Sequence, residues 1–510
     1  MSVRKRLLMT ALGCSVLMSP IVPVTSAEAA DTVHVAMPDA TTILDPIKSP
    51  NGGDIAVYGQ LYTHLVRRNW QTGEIEPGLA ERWEISADGL TYTFHLRDAK
   101  FSDHSPITGA DVAFSLERVR TDPLSVFAAP LQAVTAITAQ DDKTVVVKLK
   151  YPFAPLLANL EIWNMGIVSK NDVEKRGADK AFSDVPVSSG PYTVSEWKPN
   201  DKIVLKPNQE YWRKGHPKSQ NDVEIVTVSS AQTREAMLRA GDIDIMGAVE
   251  WSQIDGLKSF DKVDMRLEPS TTLYQVRLNN KREPFSRVDA RQAAAMAIDV
   301  KAVAAAVTHG YGIYANTTLP STLLFHNTEY PGIGYDLKKS AELIASSGMR
   351  GHDIKILAAP GTAEQQLSVL IQAQLMALGL KPVIVNMDEG ARDEAVSKGD
   401  YDATVSLYFN ETPDPDGLVR WALCGTCGSD SNGTFYENPT VDKLTDEGTR
   451  ELDPAKRSEI YKKIQEITTN EVANIPLFNA PNPVAYSKKI QGLLFTPALG
   501  WTFEDMTTSK

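Results

Sequence analysis

The 510-residue sequence predicts an α/β protein of two or three lobes built around doubly wound sheets. Three observations predict it. Strands and helices alternate between Asp353 and Phe409 in the order β-α-β-α-β. A second strand–helix–strand alternation lies between residues 186 and 250, far from the first. About 480 residues remain once an N-terminal leader is set aside, more than one hydrophobic core organises.

The leader is read first. Arg4-Lys5-Arg6 is followed by an apolar run from Leu7 to about Val24, broken by Pro20 and Pro23, and then by Ala27-Glu28-Ala29. Basic, apolar and small residues in that order are an export signal, with cleavage expected after Ala29 or Ala30. The run is too short and too proline-rich for a bilayer span. Cys14 is read as a residue inside the apolar region and not as a lipid-modified N-terminus, because the run continues well beyond it.

Thr32–Met37 alternates as a strand and turns at Thr42–Pro46; a helix is expected over Ile55–Leu65. Residues 75–150 read as short strands, with Leu90–Leu96 and Lys143–Leu149 alternating cleanly and Asp88-Gly89 marking a hairpin. Gly109–Glu117 reads as a helix. Further on come strands at Asp201–Leu205 and Val223–Val228, a helix at Ala231–Ala240 and a strand at Asp242–Met246. That alternation requires a parallel pair with a crossover. The alanine-rich stretch 287–309 is expected to be one long helix, and another should run from Leu337 to Ser346 before Gly348. The clearest unit follows: strand Asp353–Ala358, helix Ala363–Leu378, strand Lys381–Met387, helix Glu389–Lys398, strand Asp402–Phe409. Ligands of such sheets bind beyond the carboxyl ends of the strands, which points to the segment Asn410–Asp416.

The net charge of −12 argues against nucleic acid as a partner. Catalytic signatures are missing: there is no Gly-x-Ser-x-Gly, no His-Glu-x-x-His and no phosphate-cradling Gly-x-x-x-x-Gly-Lys, and the eight histidines are dispersed. Gly310-Tyr311-Gly312-Ile313-Tyr314-Ala315 follows a helix where a dinucleotide fingerprint follows a strand. Glu411, Asp414 and Asp416 leave a hydrolytic reading open, since paired carboxylates meet in space and not in sequence. Cys424 and Cys427, in a loop, are expected to form a local disulfide in an oxidising compartment; no second pair supports zinc.

One block is specific enough to resemble a known family. Leu79-Ala80-Glu81-Arg82-Trp83 through Leu96-Arg97, with Lys100-Phe101-Ser102-Asp103 and Gly109–Ser115, is similar to the family 5 extracellular solute-binding proteins, receptors of ABC importers. Ser189-Gly190-Pro191-Tyr192, Tyr211-Trp212, Ala240–Asp244, Pro284-Phe285, Arg291-Gln292-Ala293, Ala297–Asp299, Asp414-Pro415 and Ile475-Pro476-Leu477 follow in the family's order. The resemblance implies a two-lobe periplasmic binding protein fold, cluster C type, with an extra domain inserted in the first lobe. Mapped here, the first lobe takes 31–70, 183–270 and 478–510, the extra domain 71–182 and the second lobe 271–477, so that the chain changes lobe near 270 and 477. It further implies a non-enzymatic, exported, monomeric receptor without cofactor or metal, which closes on a solute and is recognised by ABC permease subunits. A hydrolase or a sensory or chaperone-like binder on the same fold are the alternatives.

Peptide-binding members of that family carry Trp-x-x-Asp-x-x-Asp-Pro, whose first aspartate receives an amine. Here the stretch reads Tyr408-Phe409-Asn410-Glu411-Thr412-Pro413-Asp414-Pro415. The resemblance thus implies Glu411 as the carboxylate for a cationic group, with a longer arm than aspartate. Tyr408, Phe409 and Asn410 beside it, Ser188 and Ser189 before Gly190-Pro191-Tyr192, Trp251 and Trp421 complete the expected ligand contacts.

Overall fold

A computed structural model describes residues 32–69, 73–347, 349–427, 432–496 and 500–509. The expected export signal, Cys14 and its cleavage site, and Gly348, lie outside the described residues.

A seven-stranded sheet is centred on Val33–Met37. This strand runs parallel to Val223–Thr227 on one side and to Ile245–Met246 on the other. Helix Ala231–Ala240 makes the crossover; Ser230 caps its start and Gly241, at φ 84°, ends it. The second of these flanking strands is shorter than the sequence suggests. The backbone N–H of Asp242 donates to Met237 O (2.9 Å), which keeps it in the helix terminus. The Asp244 carboxylate accepts from the His34 backbone N–H (3.0 Å), so the ladder begins at Ile245.

The six-stranded sheet holds the expected β-α-β-α-β unit. Asp353–Ala358 is parallel to both Lys381–Asn386 and Ala403–Tyr408. Leu273–Leu278 and Asn474–Asn479 extend it antiparallel. Helices Ala363–Ala377 and Glu389–Ser397 supply the connections. One expectation fails nearby. The alanine-rich stretch is two helices, Val288–Ala297 and Val300–Thr308, because the Asp299 side chain accepts from Ala302 N (3.1 Å) and starts a second helix. Aspartate competes for backbone donors in this way wherever a cap is geometrically possible.

A four-stranded antiparallel sheet comprises Ala80–Ile85, Thr91–Leu96, Thr144–Leu149 and Val134–Asp141. Its core is continuous with that of the seven-stranded sheet, through residues such as Phe94, Leu116, Leu156, Val35 and Leu205. The six-stranded sheet has a separate core around Val276, Leu367, Val405 and Ile475. Burial of apolar area is the main stabilising term, so these are two independently organised halves.

The chain passes between the halves twice, from Glu268 to Leu273 and from Asn479 to Asn482. The two passages are tied together by Ala480 N donating to Thr272 O (3.0 Å). The first is also tied to the loop after Tyr408. Thr271 Oγ1 donates to Asn410 O (2.7 Å), and Asn410 N donates back to Thr271 Oγ1 (3.2 Å).

Candidate functional site

The loop that follows Ala403–Tyr408 is held by its own polar groups. Asn410 is buried, and its amide donates to the carbonyls of Thr412 (2.5 Å) and Asp414 (2.6 Å). The Asp414 carboxylate takes both ends of the buried Arg457 guanidinium, at 2.6 and 3.0 Å. Asp416 accepts from Thr449 Oγ1 and from Tyr461 Oη (3.1 Å). Burial and the neighbouring Asp414 charge push the Asp416 carboxyl up to about 6. Two of the three carboxylates that allowed a hydrolytic reading are therefore structural anchors. Asn410, expected as a ligand contact, organises the loop.

Glu411 differs from both. It makes no ion pair among the described residues, and it lines two cavities at once. The smaller, about 200 Å³, is walled on the other side by His64, Arg67, Arg68, Trp212 and Trp501. The larger, about 510 Å³, is bounded by Phe127, Phe153 and Ile162 from the four-stranded unit and by Phe409 and Trp421 from the second half. Burial pushes the Glu411 carboxyl up to about 7. The Trp163 indole N–H offsets this in part; it lies close by, although it completes no hydrogen bond of ordinary geometry. A carboxylate so placed gains most from a cation brought in from solution.

The opposite wall is polar as well. Arg68 holds Glu161 in a buried pair through its Nε (2.7 Å) and Nη2, yet burial still pushes Glu161 up to about 7. Burial lowers His64 to about 4, so its ring is neutral, and its Nε2 has no hydrogen-bond partner. Sequence reasoning passed over His64, Trp163, Trp212, Trp501, Phe127 and Phe153. They come to the site from segments 90 or more residues from Glu411, and among them only Trp212 lies in a block the sequence marks, Tyr211-Trp212.

The remaining expected contacts separate. Phe409 and Trp421 line the larger cavity, Trp421 with 42% of its surface exposed. Tyr408 also borders it, but its hydroxyl donates to Thr318 O and its ring packs edge-on against Trp421 (6.4 Å), so its polar end is turned into its own half. Ser188 and Ser189 line no described cavity and are fully buried. Ser189 Oγ donates to Ile167 O and accepts from Thr63 N (3.0 Å), while the Ser188 backbone pairs with Ser102 (3.0 and 2.8 Å). They lock one half internally and do not present donors to a ligand. Trp251, in a short 3-10 turn, packs against both the core of the second half and the apolar cluster around Leu257, away from both cavities that Glu411 lines. Cys424 and Cys427 form a disulfide with Cα atoms 5.4 Å apart, and Cys427 borders the larger cavity.

No group of three or more His, Cys, Asp or Glu among the described residues could hold a metal ion. No described helix is long and apolar enough to cross a membrane.

Comparison with known proteins agrees with this architecture. The profile of the bacterial extracellular solute-binding proteins, family 5 middle, matches residues 74–430. The probable D,D-dipeptide-binding periplasmic protein DdpA of Escherichia coli K12 is 27% identical over 480 residues, covering 92% of each chain. The glutathione-binding protein GsiB of the same strain is 28% identical over 491 residues, covering 94% of this chain and 95% of its own. Among solved structures, the ABC transporter-associated periplasmic binding protein DppA of Helicobacter pylori, in complex with the peptide STSA, superposes with a TM-score of 0.82. It is 25% identical, covering 94% of this chain and 99% of its own.

Proposed function

The chain belongs to the family 5 bacterial extracellular solute-binding proteins, and from that premise we propose that it captures an amine-bearing, peptide-like solute between its halves in the periplasm and delivers it to the permease subunits of an ABC importer. It is a binding protein and not an enzyme. It acts as a monomer, without nucleic acid or cofactor. The two relatives above are named for a D,D-dipeptide and for glutathione, and the superposed structure holds a tetrapeptide. All three ligands carry an amine.

The observation that supports the reading best is Glu411: a carboxylate with no cation of its own among the described residues, half-buried and lining two cavities. Phe409 and Trp421 beside it offer apolar faces to the rest of a ligand. We also assign residues 31–70, 183–270 and 480–510 to a first lobe, 71–182 to an inserted domain and 271–479 to a second lobe, where the sequence suggests a change at 477. The hydrogen-bonded passages at 268–273 and 479–482 support hinge points there, the second falling two residues later than the sequence suggests. Binding then follows from closure of the second lobe over a ligand that favours the closed form.

Mass spectrometry of material released on denaturing the purified protein tests this. An amine-bearing compound is expected. Calorimetry with that compound should show Glu411→Gln losing about 2 kcal/mol, the scale of a hydrogen bond between charged groups. Release of a solute without any cationic group, or unchanged affinity in the variant, sinks the reading. Binding also has a pH signature. The carboxylate must be ionised to hold a cation, and its free pKa is near 7. Affinity should therefore fall as pH drops from 7 to 5.

A further inference from the structure

A third cavity, of about 530 Å³, lies within the second lobe over the face of strands Leu273–Leu278 and Ala403–Tyr408. Its floor holds polar groups without partners. Arg277 stands opposite Thr404 in the ladder, and Ser406 lies two residues further along the same face. Arg277 Nε is buried and accepted by nothing, and its guanidinium makes no ion pair among the described residues. Ser406 is 8% exposed, and its Oγ is also unpartnered. The Nδ2 of Asn432, on the same wall, is a third donor without a partner among the described residues.

Several other guanidiniums are answered by hydrogen bonds, and that of Arg97, whose Nε also lacks a hydrogen-bond partner, rests over the Trp212 ring at 4.1 Å. Arg118 meets Asp45 (2.8 and 3.2 Å) and Arg457 meets Asp414, while Arg234 and Arg291 each donate to several main-chain carbonyls. The acids around the third cavity do not serve Arg277 in this way. Glu389 and Asp393 are exposed at its rim and are engaged by Arg392, at 3.3 and 2.9 Å; Glu364 stands on the wall without a bond to Arg277. A buried charge left unpaired is costly, and such a group is retained where an incoming partner of opposite sign completes it. Planar guanidinium matches a carboxylate with two parallel bonds.

Leu407 and Trp421 line both this cavity and the larger one that Glu411 borders, so the two cavities adjoin at these side chains. We propose that Arg277, with Ser406 and Asn432, forms an anion subsite that takes a carboxylate at the far end of the solute whose amine Glu411 receives. The ligand class narrows to elongated zwitterions or acidic peptide-like compounds. This rests on the reading of Glu411 given above.

The test is calorimetry on the purified full mature chain with three probes: glutathione, alanyl-glutamate, and alanyl-glutamine amide, whose far end carries no carboxylate. At least one acidic probe should bind ten times more tightly than the amide. Arg277→Met should weaken that probe about a hundredfold and leave the amide within twofold. Ser406→Ala should weaken the acidic probe a few-fold. Without ligand, Arg277→Met should unfold at the same temperature as the parent or higher, because it removes an unpaired buried charge. Lower melting of that variant would assign Arg277 a structural role and overturn the proposal. So would unchanged affinity for the acidic probe, absence of any preference for it, or failure of both acidic probes to bind. If Glu411→Gln leaves the acidic probe unaffected while Arg277→Met weakens it, the reading of Glu411 fails and the anion subsite stands. The opposite pattern overturns the anion subsite alone.

Discussion

The loop after Tyr408 and the loop before Tyr192 are both buried and both dense in side-chain to main-chain hydrogen bonds, yet they meet solvent differently. In the first, Asn410, Asp414 and Asp416 are each fixed by neighbours, and that fixed frame leaves one carboxylate, Glu411, facing two cavities. In the second, Ser188 and Ser189 close on Ser102, Thr63 and Ile167, and Gly190 lies directly on the backbone of Gln60 and Leu61. The first loop leaves the carboxyl end of a central strand, where the sheet ends and two cavities lie. The second enters a strand across helix Gly52–Leu61 and is covered by it. Polar density alone therefore does not make a site; what matters is whether a polar group of the loop faces a cavity, as Glu411 does and Ser188 and Ser189 do not.

Four substitutions break or sharpen this contrast. Asp414→Ala should cost the most, about 3–5 kcal/mol, because Arg457 is left as an uncompensated buried charge. Denaturant unfolding reads it, and a loss below about 1 kcal/mol would mean that the loop frame is not held by this pair. Gly190→Ala is next. A Cβ there would stand 2.6 Å from Gln60 O, and overpacking of this kind costs about 1–3 kcal/mol. Ligand affinity of the folded fraction should not change; if it drops markedly, the second loop belongs to the site after all.

Glu411→Gln should act in the opposite direction on stability. Burial raises this carboxyl from 4.5 to about 7 in the fold, so the folded state is penalised wherever the unfolded chain would ionise it. The penalty is absent below pH 4.5, grows between there and 7, and is full above 7. The variant should therefore gain about 1 kcal/mol at pH 8, discounted for its partial exposure, and nothing at pH 4. Melting curves at the two values check this, and an equal gain at both contradicts it. Ser188→Ala should have the smallest effect, within about 0.5 kcal/mol, since its hydroxyl is already without a partner. A larger loss on melting would reveal a hydrogen bond that the static fold lacks.

How much of this could be read from the chain depends on distance along it. The β-α-β-α-β rhythm from Asp353 to Tyr408 is local, and strand-end geometry then pointed to the segment holding Glu411. The break at Asp299 was legible in principle, since aspartate before a helical run is a capping residue, but the surrounding alanines masked it. Ser188 and Ser189 show what a motif leaves undetermined: it fixed their place in the fold but not which way their hydroxyls face. His64, Trp163 and Arg277 carry no local mark. Their significance arises only when sheets and lobes assemble and some of their nitrogens remain unpartnered.

The cross-link between Thr271 and Asn410, together with that between Thr272 and Ala480, has a mechanical meaning. It sets Glu411 close to the fulcrum of any rotation about the two interlobe passages. A point near a pivot sweeps a short arc, whatever the angle. Under the proposed function, Glu411 would therefore hold nearly the same position with the jaws apart as with them shut, set to meet a cation at first encounter, while the distant rims would travel furthest and register the catch.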